Sequence, residues 1–331
     1  MFTQVNGIDI KAISCCVPKE MYSIREYAPE LLKSEKTAKR MVKSTGISHL
    51  RISPKSVTTA DLFQKAAEPV LADIDKKEIE ALVFVTQTPD YLVPTTGHIL
   101  QNKLGLRNNI LCLDITEGCS GYVTGLYTSC MLANQLQGPV IFGGGDTISH
   151  ITNPNDRATR VIFGDAATAT LVTPGNHNAF FSFESYGERW RAIVRENSEF
   201  RRTSNPINDG CLYLDGMGIM EFSLNEVPTS IHKMLTRCNF TLDDVDLFAC
   251  HQANKLILTS LAQKLGVSAE KLPWVSENVG NESSASIPMV LSAMRGKKLN
   301  RVFCSGFGVG LSIGNCITDF SDTKLYGVSE L

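Results

Sequence analysis

Cys119 stands in Asp114-Ile-Thr-Glu-Gly-Cys-Ser-Gly-Tyr122, between Gly118 and the pair Ser120-Gly121. Neighbours this small leave room for a substrate to reach the sulfur. The apolar run Ile110–Leu113 reads as a strand and the stretch from Tyr122 to about Gln135 as a helix, so the cysteine falls at a strand-to-helix turn. A helix N-terminus presents unpaired N–H groups and a partial positive charge, which favour a thiolate. A thiolate so placed is a covalent nucleophile. Read alone, the segment fits a buried core cysteine equally well.

The elements that must position this cysteine are short and apolar. Ala81–Val85, Ile110–Leu113, Pro139–Phe142, Ala167–Val172, Val245–Ala249 and Arg301–Cys304 read as buried strands separated by longer helical stretches, the pattern of an α/β protein. The chain also echoes itself. Leu82-Val-Phe-Val-Thr-Gln-Thr-Pro-Asp90 resembles Asp246-Leu-Phe-Ala-Cys-His-Gln-Ala-Asn254. The ending Leu100-Gln-Asn-Lys-Leu-Gly105 returns as Leu261-Ala-Gln-Lys-Leu-Gly266, and Val140-Ile-Phe-Gly-Gly-Gly145 as Val302-Phe-Cys-Ser-Gly-Phe307. Leu261 lies 161 positions after Leu100, and Val302 lies 162 after Val140. Two related halves, residues 1–173 and 174–331, are the expectation.

The same offset of 162 carries Cys119 onto Asn281, in another glycine-bounded turn before an apolar stretch. His251 follows a strand end and corresponds to Gln87 in the first half. Strand ends of two halves related by a pseudo-twofold meet near one point, which singles out Cys119, His251 and Asn281. Each also has a plainer reading: a structural histidine and a turn asparagine. Together they suit thioester chemistry. The thiolate accepts an acyl group. An imidazole and a carboxamide then donate to the oxygen of a second thioester as carbon dioxide leaves a malonyl group, and the carbanion forms a carbon–carbon bond.

At these residues the chain resembles the β-ketoacyl-acyl carrier protein synthase III family of the thiolase superfamily. The resemblance runs through Ser44-Thr-Gly-Ile47, Thr86 to Pro94, Gly118-Cys-Ser-Gly121, Arg160-Val-Ile-Phe-Gly-Asp-Ala-Ala167, Tyr213-Leu-Asp-Gly216, His251-Gln-Ala-Asn254, Gly280-Asn-Glu-Ser-Ser-Ala-Ser-Ile-Pro288 and Gly306-Phe-Gly-Val-Gly-Leu-Ser312. It implies a thiolase-like five-layered α-β-α-β-α fold, a homodimer, and Cys119, His251 and Asn281 as the catalytic triad. It further implies an oxyanion hole from the backbone N–H groups of Cys119 and Val309, and Asn254 and Gly216 at the substrate or carrier site. The substrates it implies are acyl-coenzyme A or acyl carrier protein thioesters, with no cofactor and no metal.

Three positions depart from the housekeeping pattern. Where that pattern has a tryptophan stacked on the adenine of coenzyme A, and an arginine directly before Thr-Gly-Ile, this chain has Arg40 and Ser44. Arg40, Lys43 and Arg157 remain as candidates to bind phosphates or a carrier protein, and the expected acyl donor is something other than acetyl-coenzyme A. Val93 stands where a phenylalanine often caps the partner subunit's acyl pocket, which predicts a longer or branched chain. Glu117 replaces an alanine two residues before the nucleophile. It is either an extra acid or base in the site or a residue facing a polar interface; the second is favoured, since a carboxylate beside the sulfur opposes thiolate formation.

The bulk composition narrows the alternatives. The 331 residues suffice for one large domain or two medium ones, and 32 Lys and Arg nearly balance 34 Asp and Glu, so no nucleic-acid footprint is present. The ten cysteines form neither a CxxC pair nor a Cys/His metal spacing, which fits reduced thiols in a cytoplasmic protein. Met1–Pro18 lacks the pattern of a signal peptide, and no apolar run reaches the roughly 20 residues of a membrane span. Besides decarboxylative condensation, the same three side chains suit acyl transfer to an oxygen or nitrogen nucleophile, or head-to-head joining of two acyl chains. A silent subunit has no need of all three, and a thiolase proper wants a second cysteine in the C-terminal glycine loop. Residues 177–240 are expected at the tunnel mouth, where Arg191, Arg195, Arg201 and Arg202 suit an acidic carrier.

Overall fold

A computed structural model describes residues 1–198 and 200–331. Nine strands join in one hydrogen-bonded network: β1 (Phe2–Val17), β2 (Ala81–Val85), β3 (Leu111–Ile115), β4 (Val140–Asp146), β5 (Ala166–Ser185), β6 (Leu247–Cys250), β7 (Val302–Gly308), β8 (Ser312–Thr318) and β9 (Lys324–Glu330). The order is β6-β7-β8-β5-β4-β2-β3, with β1 pairing β5 and β9. All six expected strands are present, Ala81–Val85 with the ends expected and the other five with shifted ends. The first 17 residues, β8 and β9 carry pairing that the sequence reading did not anticipate.

Alternating side chains divide the molecule into layers. From β2, Ala81, Val83 and Val85 enter one core while Leu82 and Phe84 enter another. From β6, Leu247 and Ala249 enter the first of these and Phe248 and Cys250 a third. The shared core also holds Tyr122, Val123, Leu126 and Cys130 of the helix Gly121–Leu136, and Ile287, Val290 and Leu291 of the helix Ser286–Ala293. These two helices therefore lie between two sheet halves. The helix Thr59–Leu71 covers the outer face of one half, and the helices Gly216–Arg237 and Lys255–Leu265 that of the other. This is the expected α-β-α-β-α order.

The pairing pattern recurs on each side. In one half β2 runs parallel to β4, β4 antiparallel to β5, and β5 antiparallel to β1. In the other β6 runs parallel to β7, β7 antiparallel to β8, and β8 antiparallel to the far end of β5. Residue 173 falls inside the continuous strand β5, so the anticipated boundary between halves is crossed by unbroken backbone. The repeated helix endings share a device as well: Gly105 and Gly266 both take positive φ, at 66° and 70°. One expectation needs correction. Leu111 and Leu113 are exposed, because β3 pairs only β2 and forms the edge of the network in this chain. Among the described residues no helix is long and apolar enough to cross a membrane.

The turn that leads into β5 is held by one buried carboxylate. Asp165 accepts from the N–H of Ser53 at 2.8 Å, and from the N–H and hydroxyl of Ser149 at 2.9 and 2.6 Å. Next to it Gly164 donates to the Asn281 carbonyl at 3.2 Å. Asp165→Ala leaves two buried backbone donors unpaired and is expected to cost on the order of 3 kcal/mol in chemical denaturation, with Asp165→Asn recovering part of the loss.

Candidate active site

β3 ends at Ile115 and the helix begins at Gly121, so Cys119 occupies the strand-to-helix turn expected for it. Strand β7 passes directly beneath. A Cβ on Gly306 would lie 2.8 Å from the Cys119 carbonyl, and one on Gly308, at φ +150°, would lie 3.0 Å from Sγ. Only glycine permits this approach at Gly308. The backbone N–H groups of Val309 and of Cys119 itself favour the charged form of the sulfur. Burial nevertheless dominates, and pushes the thiol up to about 11. The resting thiolate expected from the helix N-terminus is thus corrected: desolvation outweighs the local donors, and the resting group is a thiol.

His251 follows β6 and Asn281 follows the positive-φ residue Gly280. Both are buried, and both line one cavity of about 190 Å³ with Cys119. Gln87, the counterpart of His251, lines it too. Asn281 is fixed by backbone on both sides, its N–H donating to Ile162 at 2.8 Å. Its Oδ1 accepts from the Ser283 N–H at 3.0 Å, which turns Nδ2 into the donor end of the carboxamide. His251 is desolvated, and burial lowers it to about 4, so the ring is neutral at pH 7. Its Nδ1 meets Ser286 Oγ at 2.8 Å, and the same Oγ lies 2.8 Å from the Ser283 carbonyl. Ser286 has one proton for these two contacts, so its placement sets the tautomer of His251.

The remaining candidates are distributed around this centre. Asn254 and Gly216 line the cavity, with Asn254 Oδ1 capping the helix Lys255–Leu265 through the Ile257 N–H at 2.9 Å. Arg40 and Arg157 line a separate cleft with Lys36 and Ser44. Arg157 and the cavity residue Ala158 are consecutive, so one short helix, Arg157–Arg160, bounds both spaces. Lys43 is exposed on the helix Glu35–Thr45 and lines neither. Val93 is 86% exposed and outside the cavity. Glu117 also lies outside it, half-buried, and accepts from Ser120 Oγ at 2.7 Å. Ile193, Leu212, Leu214 and Ile219 do form cavity wall, as expected of residues 177–240, whereas Arg191, Arg195, Arg201 and Arg202 surround a surface cleft beside Trp190.

Residues 113–187 match the family described as 3-oxoacyl-[acyl-carrier-protein (ACP)] synthase III, and residues 235–320 match its C-terminal part. The β-ketoacyl-[acyl-carrier-protein] synthase III of Lactobacillus helveticus is 32% identical over 292 residues, which cover 83% of this chain and 88% of that one. The chain belongs to the β-ketoacyl-acyl carrier protein synthase III family. A putative 3-oxoacyl-[acyl-carrier-protein] synthase 3 of Campylobacter jejuni is 28% identical across 97% of this chain and 96% of its own. The crystal structure of a 3-oxoacyl-(acyl-carrier protein) synthase from Burkholderia xenovorans superposes with a TM-score of 0.95 at 30% identity, covering 100% of this chain and 99% of that one. The protein is accordingly an acyltransferase with the thiolase-like fold expected of it.

Several site residues escaped the sequence reading. Phe307 packs edge-on against the His251 ring at a centroid distance of 5.5 Å, and its signal was the aromatic inside a glycine loop. Ser283 and Ser286 lie in a recognised motif, yet only the fold assigns one to the Asn281 carboxamide and the other to the imidazole. Glu282 carries the neighbouring surprise. Its fully buried carboxyl takes the Ser276 hydroxyl at 2.9 Å, and desolvation pushes it up to about 8. A carboxyl raised in the folded state adds stability that is full below its ordinary value of 4.5 and is lost as pH rises to about 8. Glu282→Gln is therefore expected to match wild type near pH 4 and to melt progressively higher than it towards pH 8, in thermal scans across that range. Gly308→Ala is expected to fold yet slow acylation of Cys119 on the order of 100-fold, measured by intact mass, because the new methyl displaces the sulfur.

Proposed function

We propose that this synthase III carries an acyl group on Cys119 and condenses it with a malonyl thioester of acyl carrier protein, releasing carbon dioxide. The observation that carries the reading is that Cys119, His251 and Asn281, remote in sequence, open onto one buried cavity. In the first half-reaction the sulfur attacks the donor carbonyl and gives up its proton towards the departing thiol, while the neutral His251 ring keeps its own N–H for the second step. The donor's C–S bond breaks, and its thiol leaves with that proton. The raised thiol value supports proton transfer in step with substrate entry rather than a standing thiolate. In the second, the malonyl C–C bond breaks, its electron pair becoming an enolate whose oxygen accepts from His251 and Asn281 Nδ2. The enolate carbon attacks the acyl-Cys119 carbonyl, a new C–C bond forms, and the cysteine leaves as thiolate and takes a proton from solvent. Thiol, imidazole and carboxamide supply the whole sequence, so the reaction as proposed needs neither cofactor nor metal.

The finer parts of the proposal have their own supports. The Arg40–Arg157 cleft shares a wall with the cavity, which suits the phosphate of a carrier's pantetheine arm entering from that side. Without an aromatic platform at Arg40, an acyl carrier protein is favoured over acetyl-coenzyme A as donor. The exposed apolar edge of β3 and the outward Val93 suit a homodimer in which Val93 of one protomer faces its partner's cavity. Ten unpaired cysteines suit a cytoplasmic setting. The matching pairing order supports derivation of residues 1–173 and 174–331 from one repeated unit.

The test is intact-mass detection of the acyl adduct and of carbon dioxide released from malonyl-acyl carrier protein, across a panel of chain lengths and both donor types. The expected result is an adduct absent in Cys119→Ala, fastest from acyl carrier proteins and from chains longer than acetyl. Acetyl-coenzyme A as the faster donor would overturn the donor assignment, and an adduct without carbon dioxide release would favour transfer to another nucleophile.

A further inference from the structure

Four oxygens stand in a row behind the nucleophile, and of the residues that carry them Val309 lines the cavity. Glu117 Oε1 lies 2.7 Å from Ser120 Oγ, Ser120 Oγ lies 2.7 Å from Ser312 Oγ, and Ser312 Oγ lies 2.7 Å from the Val309 carbonyl. The three contacts share two hydroxyl protons. A carboxylate forms the stronger, charge-assisted bond and takes the Ser120 proton. Ser120 then presents only lone pairs to Ser312, whose single proton is shared between Ser120 Oγ and the Val309 carbonyl. Without an acceptor at position 117, Ser120 would turn its proton to Ser312, and Ser312 would give its own wholly to the Val309 carbonyl, drawing that loop out of its resting position. Glu117 thus sets the polarity of the whole row.

The far end of the row is not inert. Val309 is the residue whose N–H favours the charged form of Cys119 Sγ, and a Cβ on Gly308 beside it would lie 3.0 Å from the same sulfur. The near end is two residues before the nucleophile, and Ser120 is the residue after it. The row therefore ties both sides of Cys119 to the loop facing it, while Glu117 touches no reacting atom.

We infer that Glu117 is a positioning residue: through Ser120 and Ser312 it fixes the loop around Val309 whose N–H faces the Cys119 sulfur. The inference deepens the proposed function and rests on Cys119 being the acylated residue. It is tested by single-turnover acylation of Cys119, read by intact mass, alongside alkylation of Cys119 by iodoacetamide, which requires no acyl donor. Glu117→Ala is expected to slow both about tenfold without changing the donor concentration at half-saturation, since one backbone donor to the sulfur is displaced. Glu117→Gln keeps an oxygen to accept from Ser120 and is expected to restore most of the rate. Ser312→Ala is expected to resemble Glu117→Ala, and the double variant to be no slower than either alone, because both act through one row.

Wild-type rates in Glu117→Ala, equal losses in Glu117→Ala and Glu117→Gln, or additive losses in the double variant would each overturn the inference. Equal losses would make the carboxylate itself the working group. Should Glu117→Ala fail to fold, wild-type rates in Ser312→Ala overturn the inference on their own. Failure of wild type to form any acyl adduct would instead sink the proposed function, and the alkylation series would still decide the role of Glu117.

Discussion

Everything in this molecule depends on one long antiparallel pairing, that of Phe2–Val17 with Ala166–Ser185. Each strand passes through both sheet halves, so the halves cannot slide or rotate independently of each other. Ladder hydrogen bonds fix their relative register at the same time as they satisfy the buried backbone. With the halves locked, the ends of β3 and β6 open on the same buried space, and two central helices fill the gap between the sheets. The convergence of Cys119 and His251 is thus a consequence of pairing some distance from either.

Burial at that convergence sets the electrical character of the site. The thiol is raised, the imidazole lowered and the adjoining Glu282 carboxyl raised, each chiefly by desolvation. Every shift favours the neutral form. A resting site of neutral groups places little demand on an apolar acyl chain that must enter it. Charge then arises only as the reaction proceeds, where fixed N–H and amide donors already face it.

Much of this was legible in the sequence. The strands β2 and β6 advertise themselves through continuous apolar runs, and the repeated endings at Gly105 and Gly266 disclose a common helix-stop. The offset between echoes leads from Cys119 to Asn281, and strand-end reasoning leads to His251. What was not legible is physically of another kind. β1 is a run of alternating polar and apolar residues whose partner lies far away in sequence, so only tertiary structure makes it a strand. The exposure of Leu111 and Leu113 depends on which strand has no further neighbour. The state of the Cys119 thiol depends on total burial, which no local pattern encodes. The roles of Glu117, Ser283 and Ser286 depend on which hydroxyl faces which acceptor.

The cavity walls belong largely to segments that lie outside the nine strands: Ile148, Ile162 and Phe163 on one side, Ile193, Leu212 and Leu214 on another. On the proposed function, chemistry and chain selection therefore reside in different parts of the polypeptide. Substitutions in those segments can widen, shorten or bend the tunnel while the strand ends bearing Cys119 and His251 stay in register. Such a scaffold is modular in the evolutionary sense: a lineage can change which fatty chain it handles through loop drift alone, with the bond-forming apparatus inherited intact.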